Sequence, residues 1–146
     1  CLVGSEMCIE TEHGVRRYYV GGALGVDMWA GELILRLKEQ PGYGDIELVV
    51  VLPFEGHDSK WDERSKRRMD FLLRMCSDCV VIGKEDCREN YIKRNCYMVD
   101  HADYLVAVYD NERNLRSGTM QTVRYAQNKG ITISFVNPDT ATVTTN

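Results

Sequence analysis

Residues 21–27 read GGALGVD, and this short stretch decides the fold. It follows a strand-like run at residues 16–20 (RRYYV) and leads into a segment whose apolar residues have helical spacing. Glycines let a chain turn sharply and approach a ligand closely. The start of a helix directs N–H groups and the positive end of its dipole at the same space. The order strand, glycine-rich turn, helix therefore predicts a nucleotide- or phosphate-binding corner, although such a turn can also serve tight packing alone.

Strand-like and helical segments alternate along the rest of the chain. The helices are predicted at about residues 26–38, 62–75, 89–101 and 118–129, and the strands at 16–20, 46–52, 80–82, 104–109 and 131–136. Continuous apolar strands such as residues 46–52 (IELVVVL) are typical of a parallel sheet covered by helices on both faces. The fold class is therefore α/β, in a single domain over residues 1–146. Pro53 is predicted to end its strand, and the tail at 138–146 is predicted to be frayed.

Composition excludes several classes of protein. The chain of 146 residues has a formal net charge of −4, so it lacks the overall basic field of a nucleic-acid-binding protein. No apolar run approaches the ~20 residues that span a bilayer. The first residues also lack the pattern of a signal peptide, which makes the cytoplasm the expected location.

The six cysteines allow two interpretations. Four of them, Cys76, Cys79, Cys87 and Cys96, could form a four-thiolate zinc site that begins with a CxxC pair. However, Cys76 and Cys96 fall on predicted helices and Cys79 leads into a strand, whereas structural zinc pairs usually lie on turns. We therefore favour reduced, mostly buried thiols, and expect neither a metal nor a cofactor.

A second glycine-containing corner opens the last predicted helix. Gly118 permits close approach of a ligand, the Thr119 hydroxyl can donate a hydrogen bond, and the helix start favours an anion. Ser117 alone could serve as an N-cap. Earlier in the chain, Arg94 and Asn95 are expected near the ligand edge of the sheet. Arginine offers a planar fork suited to phosphate, although a surface arginine paired with an acid is the commoner case.

Other side chains give weaker signals. His57 lies in the loop after the second strand, where it could contact a base or a ribose. Trp29 falls on an apolar helical stripe and is predicted to lie in the core, while Trp61 could stack on a base or pack against the loop. The basic residues at 64–68 most simply form a solvated helix face.

Four segments of the chain closely resemble the YpsA-like branch of the SLOG superfamily, which also contains DprA and the LOG phosphoribohydrolases. They are GGALGVDMWAGE (21–32), LPFEGHDSKW (52–61), KRNCYMVDHADYLVAVYD (93–110) and SGTMQTVRYA (117–126). The resemblance covers about residues 14–136 and implies a Rossmann-like fold, a nucleotide pocket and a homodimer. The ligand-binding positions that it implies are Gly21, Gly22, Gly25, Asp27, Glu55, Arg94, Asn95, Ser117, Gly118 and Thr119.

The chain departs from its relatives in two places. Residues 1–15 do not match the first strand and TGHRP-like loop of the family, so that strand is expected to be absent. Arg94, Met98 and Asp103 reproduce a spacing of LOG enzymes, but Thr122 stands where their catalytic glutamate belongs. Cleavage of an N-glycosidic bond needs a placed carboxylate.

The predicted function is therefore binding rather than hydrolysis. The expected ligand is a nucleotide or an ADP-ribose-like derivative, bound by a non-catalytic sensor or sequestering module. Arg94 would neutralise phosphate charge, and Asp27 or Glu55 would bind ribose hydroxyls. The alternatives are a LOG-like N-glycosidase and a DprA-like protein that binds single-stranded DNA, the latter disfavoured by the acidic balance.

Overall fold

A computed structural model describes residues 14–108, 117–137, 140 and 142–145. The chain divides into two compact units, one ending at Arg94 and the other beginning at Asn95, and each is described by itself. The described elements are β1 (Arg17–Val20), α1 (Val26–Lys38), β2 (Glu47–Phe54), α2 (Glu63–Met75), β3 (Asp78–Gly83), α3 (Arg88–Asp100), β4 (Tyr104–Val108), α4 (Ser117–Asn128), β5 (Thr132–Asn137) and β6 (Thr142–Thr145). The single domain predicted from the sequence stays a prediction, and the strand expected to be absent concerns residues that lie mostly outside this description.

The first unit is built on a parallel sheet in the order β1-β2-β3. The central strand β2 is buried from Leu48 to Phe54, on both faces alike, as expected for an apolar strand in a covered parallel sheet. Helices α1 and α2 pack on one face, where their side chains meet those of β2. This core contains Val20, Met28, Ile34, Leu48, Val50, Leu52, Met69 and Leu72. The α/β class and the Rossmann-like parallel sheet are confirmed.

Pro53 does not end its strand, and that prediction is wrong. Strand β2 continues to Phe54, and the pairing with β3 passes from Leu52↔Val81 to Phe54↔Gly83. Proline lacks the N–H that a ladder needs, but the neighbouring residues keep their pairing. The loss is limited to one ladder position, so the strand runs through it.

The second unit has a mixed sheet in the order β4-β5-β6. Strands β4 and β5 are parallel, whereas β6 pairs antiparallel with β5 through partners such as Val136↔Val143. The frayed tail predicted after Pro138 is therefore wrong for Thr142–Thr145. Threonine and valine favour strands, and an antiparallel partner needs only a short connection. The core of this unit contains Val99, Ala107, Val123, Ala126 and Ile133.

The buried face of helix α1 agrees only in part with the predicted one. Its buried residues are Met28, Gly31, Ile34 and Leu35. Of the predicted stripe Val26, Trp29, Ala30, Leu33, Ile34 and Leu37, Ile34 is buried and Ala30 and Leu37 pack against the core, whereas Val26 and Trp29 are exposed. Trp29 is 42% exposed, so its assignment to the core is wrong. The helix is apolar on most of its circumference, and periodicity alone could not choose the buried side. Gly31 favours the observed buried side, because it lets α2 approach closely: a Cβ at this position would lie 3.2 Å from the Leu72 side chain.

An ion pair and an N-cap add specificity to the packing of α1 and α2. Arg68 on α2 donates two hydrogen bonds to Glu32 on α1, at 2.7 and 3.1 Å. Asp62 caps α2 by accepting the backbone N–H of Ser65 at 2.9 Å, which lowers the pKa of Asp62. Arg68 thus bonds the neighbouring helix, while Arg64 and Arg67 are exposed, as predicted for the solvated face at residues 64–68. No helix among the residues described above is long and apolar enough to cross a membrane.

The observed phase of α1 generates the first prediction. We expect Met28→Ala to lower the free energy of unfolding by about 2–5 kcal/mol, because it empties a fully buried site. Trp29→Ala, one residue further along the same helix, should cost less than about 1 kcal/mol. Urea unfolding followed by circular dichroism measures both values. A larger loss for Trp29→Ala than for Met28→Ala would support the predicted stripe and contradict the observed one.

Candidate functional site

The glycine-rich turn connects β1 to α1 and needs glycine for two separate reasons. Gly22 and Gly25 have φ values of 66° and 87°, which side chains rarely adopt. A Cβ on Gly22 would also lie 2.7 Å from the Leu52 side chain in the core. Gly21 and Gly22 are buried, whereas Leu24, Gly25 and Val26 are exposed. The turn therefore has a closed half against the sheet and an open half at the start of α1.

Arg94 and Asp27 enclose the closed half of the turn. Arg94, 7% exposed on α3, donates its Nη1 hydrogen to the Gly21 carbonyl at 2.6 Å. Asp27 Oδ2 accepts the Ala23 N–H at 3.4 Å. A Cβ on Gly21 would lie 2.8 Å from Asp27 Oδ2 and 3.1 Å from Arg94 Cζ, so the two charged groups meet at this glycine. The guanidinium also lies 5.5 Å from the centre of the Tyr91 ring.

Burial governs the electrostatics of this pair. Although Asp27 as a whole residue is half-buried, its carboxyl group is enclosed, and desolvation raises its pKa. Arg94 and the amides of Ala23 and Gly21 oppose that rise. Burial likewise lowers the pKa of Arg94, against the opposing effect of Asp27. Each group is thus costly to bury and is compensated in part by the other.

His57 fixes the turn from the loop that follows β2. Its Nε2 lies 2.8 Å from the Gly22 carbonyl oxygen. Since a carbonyl only accepts, Nε2 carries the hydrogen and Nδ1 of the neutral ring is an acceptor. Nδ1 is buried and finds no hydrogen-bond partner among the residues that the structure describes. The His57 ring also packs edge-to-face against Trp61, with 5.1 Å between the ring centroids.

His57 positions the glycine turn. The sequence places it in the correct loop, but the role predicted for it was contact with a base or a ribose. The signal available in the sequence was its place directly after β2, at the sheet edge where the turn lies. Trp61 packs partly against the core of the first unit and against His57, in agreement with the packing alternative considered for it.

The open half of the turn presents the start of α1. Gly25 is the N-cap residue and no side chain caps the helix within the described residues. A Cβ on Gly25 would find nothing within 4 Å among them. Trp29 donates its N–H to the Gly25 carbonyl, but the three N–H groups before it lie too early in the helix for an intrahelical partner. This arrangement suits an anion.

Glu55 and Asn95 are two further residues predicted to bind the ligand. Glu55 is exposed in the turn after β2, and Asn95 is half-buried on α3. The structure thus brings together Gly21, Gly22, Asp27 and Arg94, with Gly25 at the open end. It leaves the Glu55 carboxylate at the surface.

The second glycine corner opens helix α4 in the other unit. Gly118 is exposed and Thr119 is half-buried, while the side chain of Ser117 and residues 109–116 lie outside the described structure. The Thr122 hydroxyl donates to the Gly118 carbonyl at 2.9 Å. The residue at the position of the LOG glutamate is therefore a hydroxyl bonded to its own helix, which supplies no carboxylate.

The cysteines of the described structure carry no signature of a metal centre. Cys76, Cys79, Cys87 and Cys96 are free thiols, but Cys79 is exposed and the other three are half-buried, so the prediction of mostly buried thiols is wrong for these four. Partial desolvation raises the pKa of Cys76, Cys79 and Cys96, which favours the protonated thiol over the metal-binding thiolate. Residues 14–108, 117–137, 140 and 142–145 contain no group of three or more His, Cys, Asp or Glu side chains that could bind a metal ion.

The enclosed carboxyl group of Asp27 generates the second prediction. Because its pKa in the folded chain is raised above 3.8, the folded state binds more protons than the unfolded state once the pH exceeds 3.8. The free energy of unfolding of the wild type should therefore fall relative to that of Asp27→Asn as the pH rises from that value through the raised pKa. Urea unfolding at a series of pH values measures this difference.

Asp62→Asn is the matched control of opposite sign. Because hydrogen bonds from Ser65 lower the pKa of Asp62, the wild type should gain stability relative to this variant as the pH rises. A gain with pH for Asp27 as well would show that Arg94 outweighs the burial of the carboxylate.

Comparisons with known proteins agree with this architecture. A family model described as the YspA SLOG family (YpsA) matches residues 3–141. The chain is 29% identical over 104 residues to UPF0398 proteins of Bacillus cereus strain B4264 and Bacillus thuringiensis strain Al Hakam. These matches cover 70% of this chain and 55% of each relative, so the chain spans about half the length of the curated relatives it matches. The chain belongs to the YspA SLOG family.

Proposed function

We propose that this chain binds a nucleotide or a nucleotide-derived anion at the start of α1, as a sensor or sequestering module that does not cleave its ligand. The observation that carries the proposal is the division of the glycine turn. Its buried half is fixed by Arg94, His57 and Asp27, while its outer half leaves the start of α1 open and without a side-chain cap. Such a division provides a binding surface that is arranged before the ligand arrives.

The inner residues act on the ligand through the shape of the turn. Arg94 and His57 donate hydrogen bonds to the carbonyl oxygens of Gly21 and Gly22. Those oxygens therefore point inward, away from an incoming anion. The N–H groups of Val26 and Asp27 precede the first intrahelical donor and are proposed to bind phosphate oxygens, whereas Met28 is fully buried. A charge at a helix start gains about 0.3–1 kcal/mol from the dipole. Arg94 is therefore proposed as a positioning residue, rather than as the phosphate ligand expected from the sequence.

An exposed carboxylate on the same unit fits the sugar of a nucleotide. Glu55 is exposed in the turn after β2, and a carboxylate there can accept hydrogen bonds from ribose hydroxyls. Asp27 suits this role less well because its carboxyl group is enclosed and accepts the Ala23 amide. Glu55 is therefore our choice for the ribose contact.

Binding without cleavage agrees with the chemistry of Thr122. A hydroxyl bonded to the Gly118 carbonyl supplies neither the acid nor the base that an N-glycosidase needs. The net charge of −4 likewise gives no support to a DNA-binding role. Family membership by itself does not select a ligand. The cytoplasm remains our expected location and a homodimer our expected assembly.

Calorimetric titration with AMP, ADP, ADP-ribose, NAD and a short single-stranded DNA tests the proposal. We expect saturable binding of at least one of the nucleotides, with the ligand recovered intact by chromatography. Gly25→Asp should weaken that binding at least about tenfold, because it adds a negative charge where the anion binds.

Gly42→Asp is the matched control for backbone strain. Gly42 has the same φ of 87° as Gly25 and equally open surroundings among the described residues, but it lies in the loop after α1. The Gly42→Asp variant should therefore bind the ligand as tightly as the wild type does. The proposal fails if no nucleotide binds, if both variants lose binding equally, or if the free base is released.

A further inference from the structure

Helix α2 exposes one face on which basic and apolar side chains lie together. Two arginines, a phenylalanine and a third arginine follow one another at intervals of three, four and three residues, and a methionine follows the phenylalanine by four. Residues at these intervals lie on the same side of a helix. All of them are exposed, whereas Met69 and Leu72 of α2 belong to the core. This face is called the basic stripe and consists of Arg64, Arg67, Phe71, Arg74 and Met75.

The arginines of the basic stripe bind no carboxylate within the described structure. The other two basic residues of α2, Lys66 and Arg68, each bond a carboxylate, at 3.6 and 2.7 Å. Arg64 and Arg67 form no ion pair with a residue of the described ranges. Arg74 donates its Nε hydrogen to a backbone carbonyl of its own helix at 3.4 Å. The fold thus compensates the charges beside the stripe and leaves those on it for another partner.

Two large apolar side chains lie among these arginines. Phe71 is 46% exposed and Met75 is 51% exposed, and the interval of four residues makes them neighbours on the helix surface. A single exposed apolar residue is ordinary in a protein. Arginine, aromatic residues and methionine together, however, are the residue types enriched at protein–protein interfaces, whereas lysine and glutamate are depleted there. The basic stripe therefore has the composition of a protein-binding surface.

A nucleic acid fits this surface less well than a protein segment does. Asp62, Glu63 and Asp70 are exposed carboxylates on or beside the same helix, and the chain has a net charge of −4. Both repel a strand of phosphates, whose binding depends on neutralising many of them with Lys and Arg. The stripe extends about 16 Å along the helix axis, at 1.5 Å per residue. That length suits a short segment with a few carboxylates.

We propose that the basic stripe of α2 is a docking surface for an acidic segment of a partner protein. Carboxylates of the segment pair with Arg64, Arg67 and Arg74, since a guanidinium group can bond a carboxylate through two parallel hydrogen bonds. An apolar side chain of the segment packs on Phe71 and Met75 between those pairs. The charges select an acidic partner, and the apolar contact excludes water at the centre of the interface. This surface does not depend on the ligand proposed above.

Selection from a random peptide library displayed on phage, with the full chain as the target, tests the proposal. We expect the enriched peptides to combine Asp or Glu residues with an aromatic or a large aliphatic residue. An enriched peptide is then synthesised with a fluorescent label and titrated by anisotropy. Arg67→Glu should weaken its binding at least about tenfold, because the variant places like charges opposite each other. Arg64→Glu and Phe71→Ala should also weaken it, and circular dichroism checks that each variant is folded.

Lys66→Glu is the matched control, because it makes the same change of charge one residue away and outside the stripe. It should leave peptide binding close to that of the wild type. The proposal is overturned if no peptide is enriched, if the enriched peptides are not acidic, or if Lys66→Glu weakens binding as much as Arg67→Glu. Binding of a short poly-dT oligonucleotide that Arg67→Glu abolishes, without binding of any acidic peptide, would overturn it in favour of a nucleic-acid surface.

Discussion

The hydrogen bond from Arg94 to the Gly21 carbonyl is the constraint on which the first unit depends. It joins residues 73 positions apart in the sequence, within a site where the guanidinium is almost wholly removed from water. A buried charge needs compensation. Here the Gly21 carbonyl, the nearby Asp27 carboxyl group and the Tyr91 ring supply it. Tyr91 lies on the same helix as Arg94, but the carbonyl and the carboxyl group are available only when the turn has its observed path. The cost of burying Arg94 therefore selects one conformation of the glycine turn.

The same constraint explains why the turn has a fixed half and an open half. Gly21 and Gly22 lie where the sheet, Arg94 and His57 leave no room for a side chain. Gly25 meets no such restriction among the described residues, and its glycine is required by a φ of 87° instead. One segment thus holds two kinds of glycine, one needed for close packing and one for the direction in which the chain enters α1.

Sequence reasoning reached the elements and their order, because strand and helix periodicities are local properties. It succeeded at β2, whose continuous apolar run predicts a strand buried on both faces. It failed where the decisive fact was a contact with a distant segment. Which side of α1 is buried depends on the contact between Leu72 of α2 and Gly31. Because α1 is apolar on most of its circumference, its sequence alone does not reveal that side. The strand at Thr142–Thr145 likewise depends on its partner β5.

The same distinction between local properties and distant contacts applies to the candidate site. Glycine content and the start of a helix identified the turn, and the resemblance added Asp27 and Arg94. The direction of those side chains could not be read from spacing: Arg94 bonds the backbone of the turn and Asp27 accepts an amide within it. His57 was placed in the correct loop, but its bond to the Gly22 carbonyl becomes visible only when β1 and β2 are paired.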